Sequence, residues 1–362
     1  MVSNANAGPS LAPLQERLRG MRIGYVPYDR SLQRPGDRRR FCKYAADRSL
    51  HFEIADPSER YDIVLLSAMA DAGLWAEYPH GKVVYDLIDS YLIEDNWMTP
   101  LRGVAKVITG QNQRFRLDYK GAMRDLCRRA DAVICSTEEQ REDILSYCKN
   151  VHIILDSHET VVRATKTSYA ANGPLKLAWE GLPYTLPLLA TLRPVFHAIS
   201  AERGVELHVV TDLKYKKYLG RFGSKDVAKE VKKIHQDSRV YEWDETTCSG
   251  ILASCDLGII PIDTSSAFAT GKPENKLLLM WRIGLPVLVS PTPAYMRALA
   301  RAGLDEMTCD TPEDWVEKLR RYGSNEDLRS QAGRRGQTYV NQQFSSFEFL
   351  RVWDNLLTSL IH

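Results

Sequence analysis

Apolar residues along this chain gather in short continuous runs, and most runs are followed by a stretch in which apolar and charged positions alternate with a helical period. Runs that are apolar on both alternate sets of positions predict strands covered on both faces, as in parallel sheets. In the first half these are MRIGYVPY, YDIVLLSA, KVVYDLI, DAVICST and VHIILD. The composition turns small and polar through SYAANGP, and the rhythm then begins again. LKLAWEG predicts a strand, LATLRPVFHAISAERG a helix, VELHVVTD and RVYEWD two strands, and residues 245–253 a helix before the strand DLGIIPI. Residues 314–360 read as helical to the end. The alternation predicts an α/β protein with two doubly wound, Rossmann-like halves. The expected division is an arm over 1–20, a first domain over 21–170, a second over 171–338 and a final helix over 339–362 that crosses back to the first domain.

The stretch from Asp256 to Ser290 is the most specific part of the pattern. An apolar strand ends at Pro261, and a loop rich in Ser, Thr and Gly follows. Lys272-Pro273-Glu274-Asn275-Lys276 then leads into a helix over 275–283, with Gly284 as its stop. A helix that begins just beyond a strand's carboxyl end offers unpaired N–H groups and partial positive charge to an anion. Lys272 and Lys276 add full charges, so phosphate or diphosphate is the simplest ligand. An ordinary α/β unit has the same outline, and two lysines four apart also describe a solvated helix face.

Composition narrows the field. A length of 362 residues favours two cores over one. A formal charge of +2 speaks against a dedicated nucleic-acid binder. No apolar run reaches the length of a membrane span, and the polar, proline-containing start lacks a signal-peptide core. Seven scattered cysteines, none spaced as C-x-x-C, suit a reducing cytoplasm and packing roles. There is neither a G-x-G-x-x-G after the first strand nor a Walker-type loop, so nicotinamide and P-loop chemistry are not expected. No two aspartates are separated by a single residue, which removes the Asp-x-Asp metal clamp. No cofactor and no metal are expected.

From these residues a family likeness emerges. Trp179-Glu180-Gly181, Val210-Thr211-Asp212, Val240-Tyr241-Glu242-Trp243, Cys255 through Pro261, Lys272 through Leu277 and Gly284 through Leu288 follow one another over 174–345. In order and spacing they resemble the donor-binding domain of GT-B glycosyltransferases, particularly family 4. The resemblance implies two Rossmann-like domains facing a cleft that closes on a nucleotide-activated sugar. It also implies metal-independent sugar transfer to a hydroxyl of a glycan or lipid-linked glycan, in surface-polysaccharide or glycoconjugate synthesis. It places the donor against Gly181, Thr211, Asp212, Tyr241, Trp243, Lys272, Glu274, Asn275 and Lys276. Lys276 would stabilise the leaving diphosphate. Trp243 reads equally as a nucleobase contact or a core aromatic. Many family members hold two glutamates eight residues apart in this region, where the present chain has Gly271 and Leu279. That departure keeps a catalytically silent GT-B binding subunit as an alternative, beside a GT-B sugar-nucleotide isomerase.

The first half supplies fewer candidates. In SLQRPGDRRRF, Arg34, Arg38 and Arg39, with Arg40 and Lys43 beside them, form a basic loop suited to donor phosphate or an anionic acceptor. A solvated loop is the alternative. Asp89, at the end of VVYDLIDSY, is the candidate base for the acceptor hydroxyl, while helix capping would suit Asp86 or Asp89. His158 reads as structural. Eight basic residues between Arg102 and Arg129 face two aspartates, which describes either a solvated helix or peripheral contact with an inner membrane face. The expected location is the cytoplasm.

Overall fold

The short apolar runs pair in parallel into two separate sheets. We describe them from a computed structural model covering residues 12–90, 92, 118–217 and 222–361. Two compact units emerge, the described residues of Met1–Ser157 with Phe347–His362, and those of His158–Ser346.

In the first unit the strands are Ile23–Val26 (β1), Glu53–Ile54 (β2), Ile63–Leu66 (β3), Lys82–Asp86 (β4), Ala132–Cys135 (β5) and Val151–Ile153 (β6). Their order is β2-β1-β3-β4-β5-β6, parallel throughout. Alternate residues go to opposite faces, and both faces are buried. Val64, Leu66, Val83, Tyr85, Val133 and Cys135 pack with Trp75, Tyr78, Met123 and Leu126. Ile23, Tyr25, Ile63, Leu65, Val84 and Ile134 pack with Phe41, Tyr44 and the last helix, Ser346–Ile361. That helix presents Phe349, Trp353, Leu356, Leu357 and Leu360, spaced as one apolar stripe. Trp353 stacks on Tyr44 at 5.4 Å, and the Tyr44 hydroxyl donates to Asp354 at 2.9 Å.

Residues 12–20 depart from the expected arm. Ala12–Arg19 is a helix whose Leu14 and Leu18 are buried on the same sheet face, because two leucines four apart form a minimal apolar stripe. Residues 1–11 lie outside the described residues.

The second unit holds Leu175–Glu180 (β7), Val205–Thr211 (β8), Lys214–Lys217 (β9), Phe222–Asp226 (β10), Ser238–Glu242 (β11), Leu257–Ile260 (β12) and Val287–Val289 (β13). The main sheet runs β11-β8-β7-β12-β13, all parallel, while β9 and β10 form an antiparallel pair that the sequence pattern did not predict. The polar segment around residue 170 packs inside this unit. The Tyr169 hydroxyl donates to Gly284 O at 2.8 Å, and buried Arg329 donates to Tyr169 O at 2.6 Å. The chain therefore changes units at 157/158, ahead of the polar stretch.

The seven cysteines are free, and six of them are buried. Burial pushes the thiols of Cys127, Cys135, Cys255 and Cys309 up to about 12, in keeping with packing roles. Among the described residues no helix is long and apolar enough to cross a membrane.

Trp353→Ala removes a fully buried indole from the face that the last helix closes. The expected loss is about 3–5 kcal/mol of unfolding free energy, measured by chemical denaturation. A loss below about 1 kcal/mol would contradict this packing role.

Candidate functional site

In open α/β sheets the strands' carboxyl ends hold the ligand, and in the second unit they bring together most of the predicted donor-site positions. Gly181 N donates to Val210 O at 3.2 Å and Trp243 N to Thr211 O at 2.9 Å, so three neighbouring strand ends are tied side by side. Thr211 is buried, and its hydroxyl has no hydrogen-bond partner among the described residues. Asp212, next in sequence, is exposed. Trp243 is half-buried. Tyr241 turns along the sheet face, where its ring stacks on His208 at 5.7 Å and its hydroxyl meets His208 Nδ1 at 3.1 Å.

The helix Asn275–Ile283 begins as the sequence predicts, and Gly284 ends it in the left-handed conformation at φ 89°. Its N-cap, Glu274, supplies no side-chain hydrogen bond to the opening turn. The first N–H groups of a helix have no acceptor within it, and Lys276 stands in that first turn. Lys272 lies with its ammonium 4.7 Å from the Phe268 ring centroid.

Lys276 is the focus of the site. Its ammonium sits 5.5 Å from the Trp179 ring centroid, and no hydrogen bond or ion pair reaches it among the described residues. Burial pulls its pKa below the ordinary lysine range; Glu180 opposes that shift and Lys272 adds to it. Gly181 makes this packing possible. A Cβ there would stand 2.7 Å from the Trp179 ring and 2.8 Å from Lys276 Nζ. Two further groups were not singled out from the sequence. Glu180 closes β7 beside Gly181, and Tyr295 lies buried near the start of helix Pro293–Ala302. Burial raises the Tyr295 phenol, and the charges of Glu274 and Glu180 raise it further. A carboxylate immediately before a glycine at a strand end is the signal that could have identified Glu180. Tyr295 carries no comparable signal.

The first unit requires a correction. Arg40, read as part of a basic loop, is fully buried, with two 2.7 Å hydrogen bonds to Asp86. It also donates to Ile154 O at 2.8 Å and Asp156 at 3.1 Å, fastening the ends of β4 and β6. Asp37 is buried as well, accepting from Tyr25 OH at 2.7 Å and Tyr28 N at 2.8 Å. Arg34 is exposed, Arg38 half-buried and Arg39 buried, so these arginines do not share one solvent-facing loop. Asp89 is half-buried and accepts from Ser90 N at 3.3 Å. Of the basic run that begins at Arg102, residues 102–117 lie outside the described residues. Arg129, at its end, bonds Tyr78 O at 2.7 Å and Asp131 at 3.2 Å.

Comparison with solved structures identifies the architecture. A glycosyltransferase from Rickettsia africae ESF-5 superimposes with a TM-score of 0.55 at 11% identity, covering 94% of this chain and 98% of its own. TarM gives 0.55 at 13% identity over 82% of this chain, and the chain spans about half, 54%, of TarM. The GtfA/B complex gives 0.51 at 11% identity, covering 84% of this chain and 58% of that one. No protein-family model and no curated protein matches. The fold is that of the GT-B glycosyltransferases.

Two outcomes follow from these two cations. Arg40→Met leaves Asp86 buried without its partner, and an expected loss of about 3–5 kcal/mol is measurable by urea denaturation. An unchanged midpoint would contradict the role. Lys276 binds its proton less tightly folded than unfolded. It therefore costs stability below its lowered pKa, and that cost fades as pH rises to the ordinary lysine value. Lys276→Met is expected to raise the melting temperature of the ligand-free protein at neutral pH, with the advantage vanishing in strong alkali. Equal melting temperatures at neutral pH would argue against a desolvated ammonium without an ion pair.

Proposed function

From the GT-B glycosyltransferase fold, we propose that the second unit binds a nucleotide-activated sugar and that the protein transfers the sugar to a hydroxyl acceptor without a metal ion. The observation that carries this reading is the half-buried Lys276 ammonium, which no hydrogen bond or ion pair reaches among the described residues, in the first turn of helix Asn275–Ile283 and packed against Gly181. A diphosphate leaving group develops negative charge as its bond to the sugar breaks. A lysine–phosphate hydrogen bond contributes about 1.5–3 kcal/mol, and the helix end about 0.3–1 kcal/mol. Both act on the rate to the extent that they strengthen in the transition state.

In this reading Gly181 leaves room for the diphosphate or sugar, and Thr211 offers its unmet hydroxyl to the donor. Asp212, Trp243, Lys272, Glu274 and Asn275 complete the donor-binding set, while Tyr241 contributes by holding His208. The first unit takes the glycan or lipid-linked acceptor, with Asp89 receiving the hydroxyl proton and the exposed Arg34 meeting acceptor or donor charge. Glycan or glycoconjugate synthesis in the cytoplasm is the setting that suits such chemistry. A non-catalytic role is favoured by one observation. Gly271 and Leu279 stand where many family 4 enzymes hold glutamates.

Thermal unfolding against a panel of nucleoside diphosphates and nucleotide sugars tests the donor site. A ligand at a hundred times its Kd is expected to stabilise by about 2.7 kcal/mol, for one base only, and Lys276→Ala is expected to abolish the shift. No shift with any nucleotide would remove the reading. Slow donor hydrolysis without acceptor would mark an enzyme, and nucleotide binding without turnover a binding subunit.

A further inference from the structure

A second basic site lies on the second unit, away from its strand ends. Helices Pro293–Ala302 and Glu326–Gln343 flank a groove of about 570 Å³, within the size range of small-ligand sites. Arg301, Arg334 and Arg335 line it together with Thr338, Gln342 and Gln343. Positions 334, 338 and 342 recur every fourth residue, so one helix face delivers a guanidinium, a hydroxyl and an amide to the same groove. The sequence isolates this charge. No aspartate or glutamate occurs over 291–304 or 328–346, the stretches that supply the walls.

Part of the positive charge has a local use. Helix Pro293–Ala302 ends at the groove, and Arg335 donates to Gly303 O at 3.1 Å just beyond it. A helix terminus carries only about half an elementary charge, which one guanidinium already meets. Arg301 borders the Tyr339 hydroxyl, and Arg334 reaches Ser330 Oγ at 3.2 Å. Both partners are neutral, and no ion pair reaches Arg301 or Arg334 among the described residues, although the charge of Glu274 acts on Tyr339 beside Arg301. Arg301 also stands six residues beyond Tyr295 on its helix, about 9 Å along the axis, so the groove is offset from Tyr295, with Glu274 acting on Tyr295 and on Tyr339.

We infer that this groove binds a hydroxylated phosphate ester, its phosphoryl group held by Arg301 and Arg334 and its hydroxyls by Thr338, Gln342 and Gln343. Guanidinium forks suit phosphate oxygens, and amides and hydroxyls suit vicinal alcohols. The ester could be a soluble sugar phosphate or the polyol phosphate of a lipid headgroup.

Calorimetric titration with ribose 5-phosphate and with glycerol 3-phosphate addresses the soluble source, and co-sedimentation with phosphatidylglycerol vesicles addresses the headgroup. Binding with a Kd of about 1 mM or tighter is expected in one arm. It should weaken at least about tenfold in Arg301→Gln/Arg334→Gln and in Thr338→Glu, which places a carboxylate in the groove. Lys276→Ala should leave it unchanged, and ribose alone should not bind. Arg335 is kept in all variants, so the wild-type melting temperature is expected. Three results would overturn the inference: no binding in either arm, equal binding by both groove variants, or loss of binding in Lys276→Ala alone. Equal sedimentation with phosphatidylcholine vesicles would overturn the headgroup source.

Discussion

A parallel sheet has to be covered on both faces, and that requirement organises the first unit. Its strands expose apolar side chains in both directions, so one layer of helices cannot suffice. The second face is closed by Phe41, Tyr44, the helix Ala12–Arg19 and the distant helix Ser346–Ile361. Tyr44 and Arg48 both bond Asp354, which fixes the last helix in rotation as well as in depth. The carboxyl ends of β4 and β6 gain their fixed spacing from within this arrangement, through Arg40.

Two cations illustrate how the fold divides structural from receptive charge. Arg40 meets Asp86, Asp156 and a backbone carbonyl, and a guanidinium so enclosed has no capacity left for a ligand. Lys276 is held against an indole face and a glycine, with carboxylate influence reaching it from Glu180. The first arrangement lowers the energy of the empty protein. The second raises it, and an arriving anion would recover that difference as binding energy.

The sequence was most legible where local chemistry and burial agree. The helix over 275–283 and its Gly284 stop are dictated by backbone preferences and fold as those preferences require, with Pro273 just ahead of the N-cap Glu274. The likeness over residues 174–345 also foretold the GT-B architecture. The basic loop was legible in composition but not in burial. Nothing in RPGDRRRF distinguishes Arg40 from Arg39, because its partners Asp86 and Asp156 lie far along the chain. Tyr295 was hidden for the same reason, since its neighbours Glu180 and Glu274 belong to other elements. The polar stretch near residue 170 looked like a linker because Tyr169 shows its value only through Gly284 and Arg329.

The return of Ser346–Ile361 to the first sheet also sets an order of assembly as the chain leaves the ribosome. Residues 158–346 form a unit with all of its own strands and helices, complete before the final helix has been made. The first unit, although synthesised earlier, lacks Trp353 and its neighbours until residues 346–361 emerge. Its unfinished sheet face stays uncovered throughout translation of the second unit, an interval of roughly 10–40 s at ordinary elongation rates. Of the two units, the one begun first is completed after the other.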